Sequence, residues 1–171
     1  MTDSLGQGDA AVRLVRDERG LALVGDGMEL RGDFSRMLPR LRQGRLQQEL
    51  LVKAARIRGA EAPTAVDCTA GLGEDSLLLA AAGFAVTLFE RDQTIAALLA
   101  DALERAAADP RLAEAVGRMT LVAGNSITGL ATLPEPPDVV YLDPMFPART
   151  KSAAVKKKFQ LLHHLEQPCE E

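Results

Sequence analysis

From residue 64 onward the chain alternates short apolar runs with segments of helical period. Residues 65–67, 85–90, 119–123 and 139–142 are compact runs rich in Ala, Val and Leu, and they predict strands. Between them, residues 75–82, closed by Gly83, and residues 94–108, opened by the candidate cap Asp92, predict helices. Pro134, Pro136 and Pro137 mark the loop before the fourth strand. Strand, glycine turn, helix, strand in this order predicts an α/β fold with a parallel central sheet. Sheets of this kind commonly hold about five or six strands, so with four the sheet is expected to be incomplete at the C-terminus.

Before residue 64 the pattern changes. Residues 12–34 alternate apolar and polar side chains around glycines, as in the run from Leu21 to Leu30, and predict short antiparallel strands. Residues 47–58 place Leu50, Leu51, Ala54, Ala55 and Ile57 at helical spacing until Gly59 and Pro63 stop the pattern. The expected organisation is a small N-terminal β-rich appendage over residues 1–46 and an α/β domain over residues 47–171.

Composition narrows the class. With 171 residues, 47% of them hydrophobic and 26% charged, the chain has the balance of an ordinary globular protein. No run approaches the roughly 18 apolar residues of a membrane span, and the segment from Met1 to Ala10 lacks the basic-then-apolar order of a secretory leader. A cytoplasmic location and no membrane partner are expected. Cys68 and Cys169 stand far apart with no second ligand pair, and His163 and His164 have no carboxylate or thiol at ligand spacing, so reduced thiols and no metal are expected.

The net charge of -4 argues against a nucleic-acid partner until its distribution is considered. Residues 31–58 carry eight Arg or Lys against the two acids Asp33 and Glu49, and residues 149–158 carry five basic residues and no acid. Such clusters suit phosphate contacts, and they suit a solvated charged face equally well.

The candidate chemistry sits at the ends of the predicted strands. Asp67 leads into a turn holding Gly71 and Gly73, where the backbone can approach a ligand closely before the next helix begins. Glu90 ends the following strand, 23 residues after Asp67, where an acid can accept both ribose hydroxyls of an adenosine. An adenosine ligand could be a nicotinamide dinucleotide or S-adenosylmethionine. Ser76 occupies the slot of the dinucleotide fingerprint's third glycine, and Glu74 and Asp75 suit a cationic sulfonium better than a pyrophosphate. Gly124-Asn125-Ser126 ends the third strand, where Asn125 and Ser126 could meet the adenine edge.

The fourth strand opens into Asp143-Pro144-Met145-Phe146, which resembles the Asp-Pro-Pro-Tyr loop of amino-group methyltransferases acting on bases. An exocyclic amine is a poor nucleophile, because its lone pair is shared with the ring. Acceptors for its N–H bonds favour the charge that develops as it attacks. Asp143 and the carbonyl of Pro144 would be those acceptors, and Phe146 could stack on a base rotated out of its helix.

These stretches, with Phe89-Glu90-Arg91, Ala96 to Leu99, Val140 to Pro147 and Lys151 to Lys157, resemble the RsmJ family of 16S ribosomal RNA guanine-N2 methyltransferases. The likeness covers about residues 33–159. It implies a Rossmann-like class I methyltransferase using S-adenosylmethionine, with 16S ribosomal RNA or the small ribosomal subunit as partner. It also implies cofactor contacts at Glu74, Asp75, Glu90, Arg91, Asn125, Ser126 and Asp143. Glu74 departs from the family's usual Arg. Two other classes fit the same fold: a nicotinamide-dependent oxidoreductase, and a non-catalytic RNA-binding or assembly module.

Overall fold

The computed structural model describes residues 12–143. Its N-terminal part is an antiparallel sheet of β1 (Arg13–Asp17), β2 (Gly20–Gly25) and β3 (Met28–Leu30). Asp26 and Gly27 join β2 to β3 with φ of 48° and 69°, the left-handed pair whose twist matches a two-residue hairpin. Phe34 does not continue the strands as its alternation predicts. It opens a 3-10 turn (Phe34–Met37), because the Asp33 carboxylate accepts the Ser35 N–H at 3.0 Å and its hydroxyl at 2.6 Å, and the turn buries Phe34 and Met37.

Helix α1 (Leu38–Leu41) follows, and the helix predicted over residues 47–58 is not formed as one piece. A 3-10 turn at Leu46–Gln48 is broken by Glu49, at φ −58° and ψ 131°, before the six-residue α2 (Leu50–Ala55). The break has a cause: Arg40 holds the Glu49 carboxylate by two bonds of 2.9 and 2.7 Å. Val52 and Ala55 are the buried face of α2, whereas Leu50 is 81% exposed and Ile57 39%. The apolar spacing described a longer helix with a different inner stripe.

The main sheet is built from β4 (Thr64–Asp67), β5 (Ala85–Glu90), β6 (Met119–Ala123) and β7 (Val139–Tyr141), all parallel in the order β6-β5-β4-β7. Helices α3 (Glu74–Ala81), α4 (Gln93–Ala107), α5 (Ala113–Val116) and α6 (Ser126–Leu130) connect them. The four strands and two long helices lie within one residue of their predicted bounds. Asp92 caps α4 by accepting the N–H groups of Thr94 and Ile95 at 2.8 and 2.9 Å. The chain runs outward from β4 to β6 and returns on the other side of β4 as β7. Strand order therefore reverses at β4, and the crevice over the carboxyl ends of β4 and β7 is where open α/β sheets bind ligands.

Helix α3 is the centre of the core. Leu77, Leu78, Leu79 and Ala80 are at most 1% exposed and belong to one cluster with Ala65, Val86 and Leu88 of the sheet. Helix α4 serves two sides. Leu99, Ala102 and Ala106 join that same core, while Ile95 and Leu98 meet Leu23 and Leu30 of the antiparallel sheet.

An ionic latch accompanies this second cluster. Asp101 of α4, 4% exposed, accepts from Arg16 of β1 at 2.8 Å and from Arg105 at 2.8 Å, and Arg105 also donates to the Gly32 carbonyl at 2.6 Å. The small sheet is thereby fixed to the helix that follows Glu90.

Candidate active site

The loop 68–73 after β4 is shaped from below. Asp67 is 1% exposed; its Oδ1 accepts the Thr69 N–H at 3.0 Å and its Oδ2 accepts the Ser76 hydroxyl at 2.6 Å. Burial raises the Asp67 carboxyl above the ordinary range, and the bonds from Ser76 and Thr69 offset only part of that. Both oxygens thus brace the loop, and the residue has no surface to offer a ligand, unlike the contact expected from sequence. Ser76, fully buried, stands in the third-glycine slot because its hydroxyl is needed by Asp67.

The two glycines of the loop differ in what surrounds them. Gly73, at φ +75°, lies so close to its neighbours that a Cβ would fall 2.8 Å from Leu99 Cδ1 and 3.2 Å from Phe34 Cζ. It is a packing glycine. Gly71, at φ +54°, has nothing within 4 Å of where a Cβ would sit, so the backbone there faces open space and lies bare to a ligand.

Glu90 closes the same space from β5. It is 9% exposed, and its Oε2 accepts the Gly71 N–H at 2.9 Å while Oε1 accepts the Asp92 N–H at 2.8 Å. Burial pushes its carboxyl up, against those two backbone bonds. Each carboxylate oxygen has a second lone pair, so Glu90 can hold the glycine loop and still accept two hydroxyls. Arg91 follows it on the exposed surface.

At the end of β6, Gly124 donates to the Glu90 carbonyl at 2.8 Å. Asn125 caps α6 by accepting the Ile127 N–H at 2.9 Å, and the Ser126 hydroxyl lies beside the Cys68 thiol. Burial raises that thiol, which keeps Cys68 protonated and unsuited to attack.

At the end of β7, two residues that the sequence reading did not single out tie the strand to the loop. The Tyr141 hydroxyl donates to Asp75 Oδ2 at 2.8 Å and lies 3.5 Å from Asp143 Oδ2, and the Thr69 hydroxyl accepts the Asp143 N–H at 2.9 Å. Burial, then Asp75, pushes the phenol far above its ordinary value, so it acts as a fixed donor. A signal existed for Tyr141: two residues before Asp143 on a strand, it shares that residue's face. The loop 68–73 thus joins Glu90, through Gly71, to Asp143, through Thr69, and Tyr141 joins Asp143 to Asp75, at the carboxyl ends of the strands where the order reverses, with Glu74 in the first turn of α3. Pro144, Phe146, the basic run 149–158, His163, His164 and Cys169 lie outside the described residues.

The SAM_MT model of SAM-dependent methyltransferases matches residues 6–167. The chain belongs to this family. Among curated relatives it is 47% identical over 160 residues to the ribosomal RNA small subunit methyltransferase J of Thioalkalivibrio sulfidiphilus, covering 89% of this chain and 63% of the relative. It is 49% identical over 119 residues to the protein of that name from Aeromonas salmonicida, covering 69% of this chain and 48% of the relative. The chain thus spans about half to five-eighths of the length of these relatives. A crystal structure of a SAM-dependent methyltransferase from Neisseria gonorrhoeae superposes with a TM-score of 0.70 at 32% identity, over 82% of this chain and 60% of that one.

The residues gathered at this switch fit the family's cofactor. An adenosine needs an acid for its ribose and close backbone approach, which Glu90 and Gly71 offer, and a sulfonium needs carboxylates, which Asp75 and Asp143 offer. Among the described residues no group of three or more His, Cys, Asp or Glu is placed to hold a metal ion, and no helix is long and apolar enough to cross a membrane.

Proposed function

We propose that the whole protein transfers the methyl group of S-adenosylmethionine to N2 of a guanine in 16S ribosomal RNA, in the cytoplasm. The observation that carries this reading is the crevice in which Glu90 and Asp143 flank a glycine backbone with open space before it. Glu90 takes the ribose hydroxyls, and Asp75 and Asp143 face the cationic end. Asn125, Ser126, Arg91 and Glu74 complete the rim.

When bound, the cofactor supplies an electrophilic methyl. The protein's own part is to hold an amine in line with it and to accept its N–H bonds at the Asp143 carboxylate and the Pro144 carbonyl, while Phe146 stacks on the base. Residues 1–46 act as the β-rich appendage of a methyltransferase unit over 47–171. Two features favour the methyltransferase over a nicotinamide enzyme: the buried hydroxyl of Ser76, whose replacement by glycine would leave Asp67 Oδ2 without its donor, and the acids of the first turn of α3.

Calorimetric titration tests the cofactor. S-adenosylmethionine and its demethylated product should bind, and NAD should bind more weakly. Equal or tighter NAD binding would overturn the reading. Glu90→Gln should weaken S-adenosylmethionine binding on the order of tenfold, because a carboxamide has one acceptor oxygen for the two N–H groups that Glu90 now satisfies. The loss should show in the cofactor's Michaelis constant more than in turnover, since these bonds exist before and during reaction alike. Unchanged affinity would place the ribose elsewhere.

A further inference from the structure

The structure separates the eight basic residues between positions 31 and 58 into two kinds. Arg31 pairs with Asp17 and Glu29, Arg36 with Asp33, and Arg40 with Glu49. The remaining five, Arg42, Arg45, Lys53, Arg56 and Arg58, are all exposed. None of the five makes an ion pair or side-chain hydrogen bond with any described residue; Arg45 has only Glu49 nearby, already held by Arg40. Elsewhere among the described residues Arg16, Arg19, Arg105, Arg111 and Arg118 each hold an acid, and Arg13 on β1 does not. In a chain of net charge -4, five of the described cations that hold no acid are gathered on one segment.

That segment is laid along α3 from one end to the other. Phe34 abuts Gly73 at the start of the helix, and Arg40 lies close enough to Asp75 and Glu74 to feel their charge. At the far end Val52, Arg56 and Ile57 line a cleft with Ala82, Gly83 and Phe84. Leu46, Val52 and Ala55 anchor the segment in the core, so its cations are carried on fixed backbone. Eight helical residues at about 1.5 Å each make α3 about 12 Å long, which sets the reach of the strip away from the crevice.

We infer that this strip binds the sugar–phosphate backbone of the RNA substrate and leads it to the crevice. The inference rests on the RNA reading proposed above. Guanidinium groups take phosphate oxygens two at a time, and they supply an affinity that falls steeply with salt. Residues 42–58 contain no aromatic side chain, so the strip has nothing on which to stack bases. It contacts backbone and positions the RNA, leaving base recognition to the crevice.

The test measures binding of a fluorescently labelled RNA hairpin with a single-stranded 3′ tail by anisotropy, over a range of salt concentrations. One variant is Arg42→Gln/Arg45→Gln/Arg56→Gln. Its control, Arg19→Gln/Arg111→Gln/Arg118→Gln, lowers the net charge equally but removes arginines that already hold acids. At roughly 0.7–0.9 of log–log slope per phosphate contact, the strip variant should lose about 2 from the magnitude of the slope, with affinity at low salt reduced on the order of tenfold or more. The control should keep the wild-type slope, and two hairpins of different sequence should respond alike.

Wild-type slope in the strip variant, an equal loss in the control, or no salt-dependent binding by the wild type would each overturn the inference. Calorimetry with S-adenosylmethionine on the same three proteins separates the outcomes. Retained cofactor binding alongside failed RNA arms removes the strip alone, and lost cofactor binding in the wild type removes the methyltransferase reading itself.

Discussion

Replacing Asp143 by Ala in the whole protein is expected to lower turnover on small-subunit ribosomal RNA by a factor on the order of 100 or more, the range seen when a preorganised acceptor or donor is removed from a reacting group. Two contacts preorganise this carboxylate: its own N–H is fixed to Thr69, and Tyr141 stands between it and Asp75. An acceptor that gains strength only as the amine attacks contributes to the transition state rather than to binding, so cofactor affinity should change less than turnover. Mass spectrometry for N2-methylguanine on undermethylated RNA reads the result. Near-normal turnover at saturating cofactor and RNA would make the Asp143 loop a structural turn.

Asp101→Ala is expected to cost about 2–4 kcal/mol of stability, because it strips the shared acid from Arg16 and Arg105 at the joint between the two sheets. The effect has a predictable pH dependence. Burial alone would raise the Asp101 carboxyl, but the bond from Arg105 and the charges of Arg105 and Arg16 outweigh it and hold the group below its ordinary value of about 3.9. A depressed folded value contributes stability that is full above the ordinary value and is lost as pH falls through the lowered one. Denaturant midpoints of wild type and Asp101→Asn should therefore differ most near neutrality and converge in acid. A constant difference across that range would show that the carboxylate's charge is not what fastens the sheets.

The strands and long helices were legible because their signals are local and agree with one another. The β5 run is mostly apolar, follows Gly83 and ends on Glu90, and α4 announces its start at Asp92. The segment between the sheets was not legible. Its apolar spacing is helical, yet Arg40 draws Glu49 out of the helix from nine residues away, a tertiary contact that no local pattern encodes. The site divides in the same manner. Glu90 and Asp143 stand at the ends of β5 and β7 beside the glycine loop, the places that their positions in the sequence implied. Asp67 carried the same expectation, but Ser76 and Thr69 claim it, and that claim depends on where the first turn of α3 lands. The bridging role of Tyr141 required knowing that β7 lies beside β4, a pairing set by the return of the chain.

That return bears on the sequence of events in folding. Thr64 and Asp138 are 74 residues apart, yet the Asp138 carboxylate accepts the Thr64 N–H at 2.8 Å and the Asp138 N–H reaches the Thr64 hydroxyl at 3.1 Å, where β7 enters the sheet. Strands β4, β5 and β6 follow one another and can pair as the chain emerges, whereas β7 must close a long loop before any of its contacts form. Until it docks, β4 has an unpaired edge beside the glycine loop, and the crevice lacks the wall that carries Asp143. Among the described residues, the crevice is then expected to be the last part to mature. Pulse-labelled hydrogen exchange during refolding should protect the β4–β5 ladder before the β4–β7 ladder, and simultaneous protection of both would show that the sheet assembles in one step.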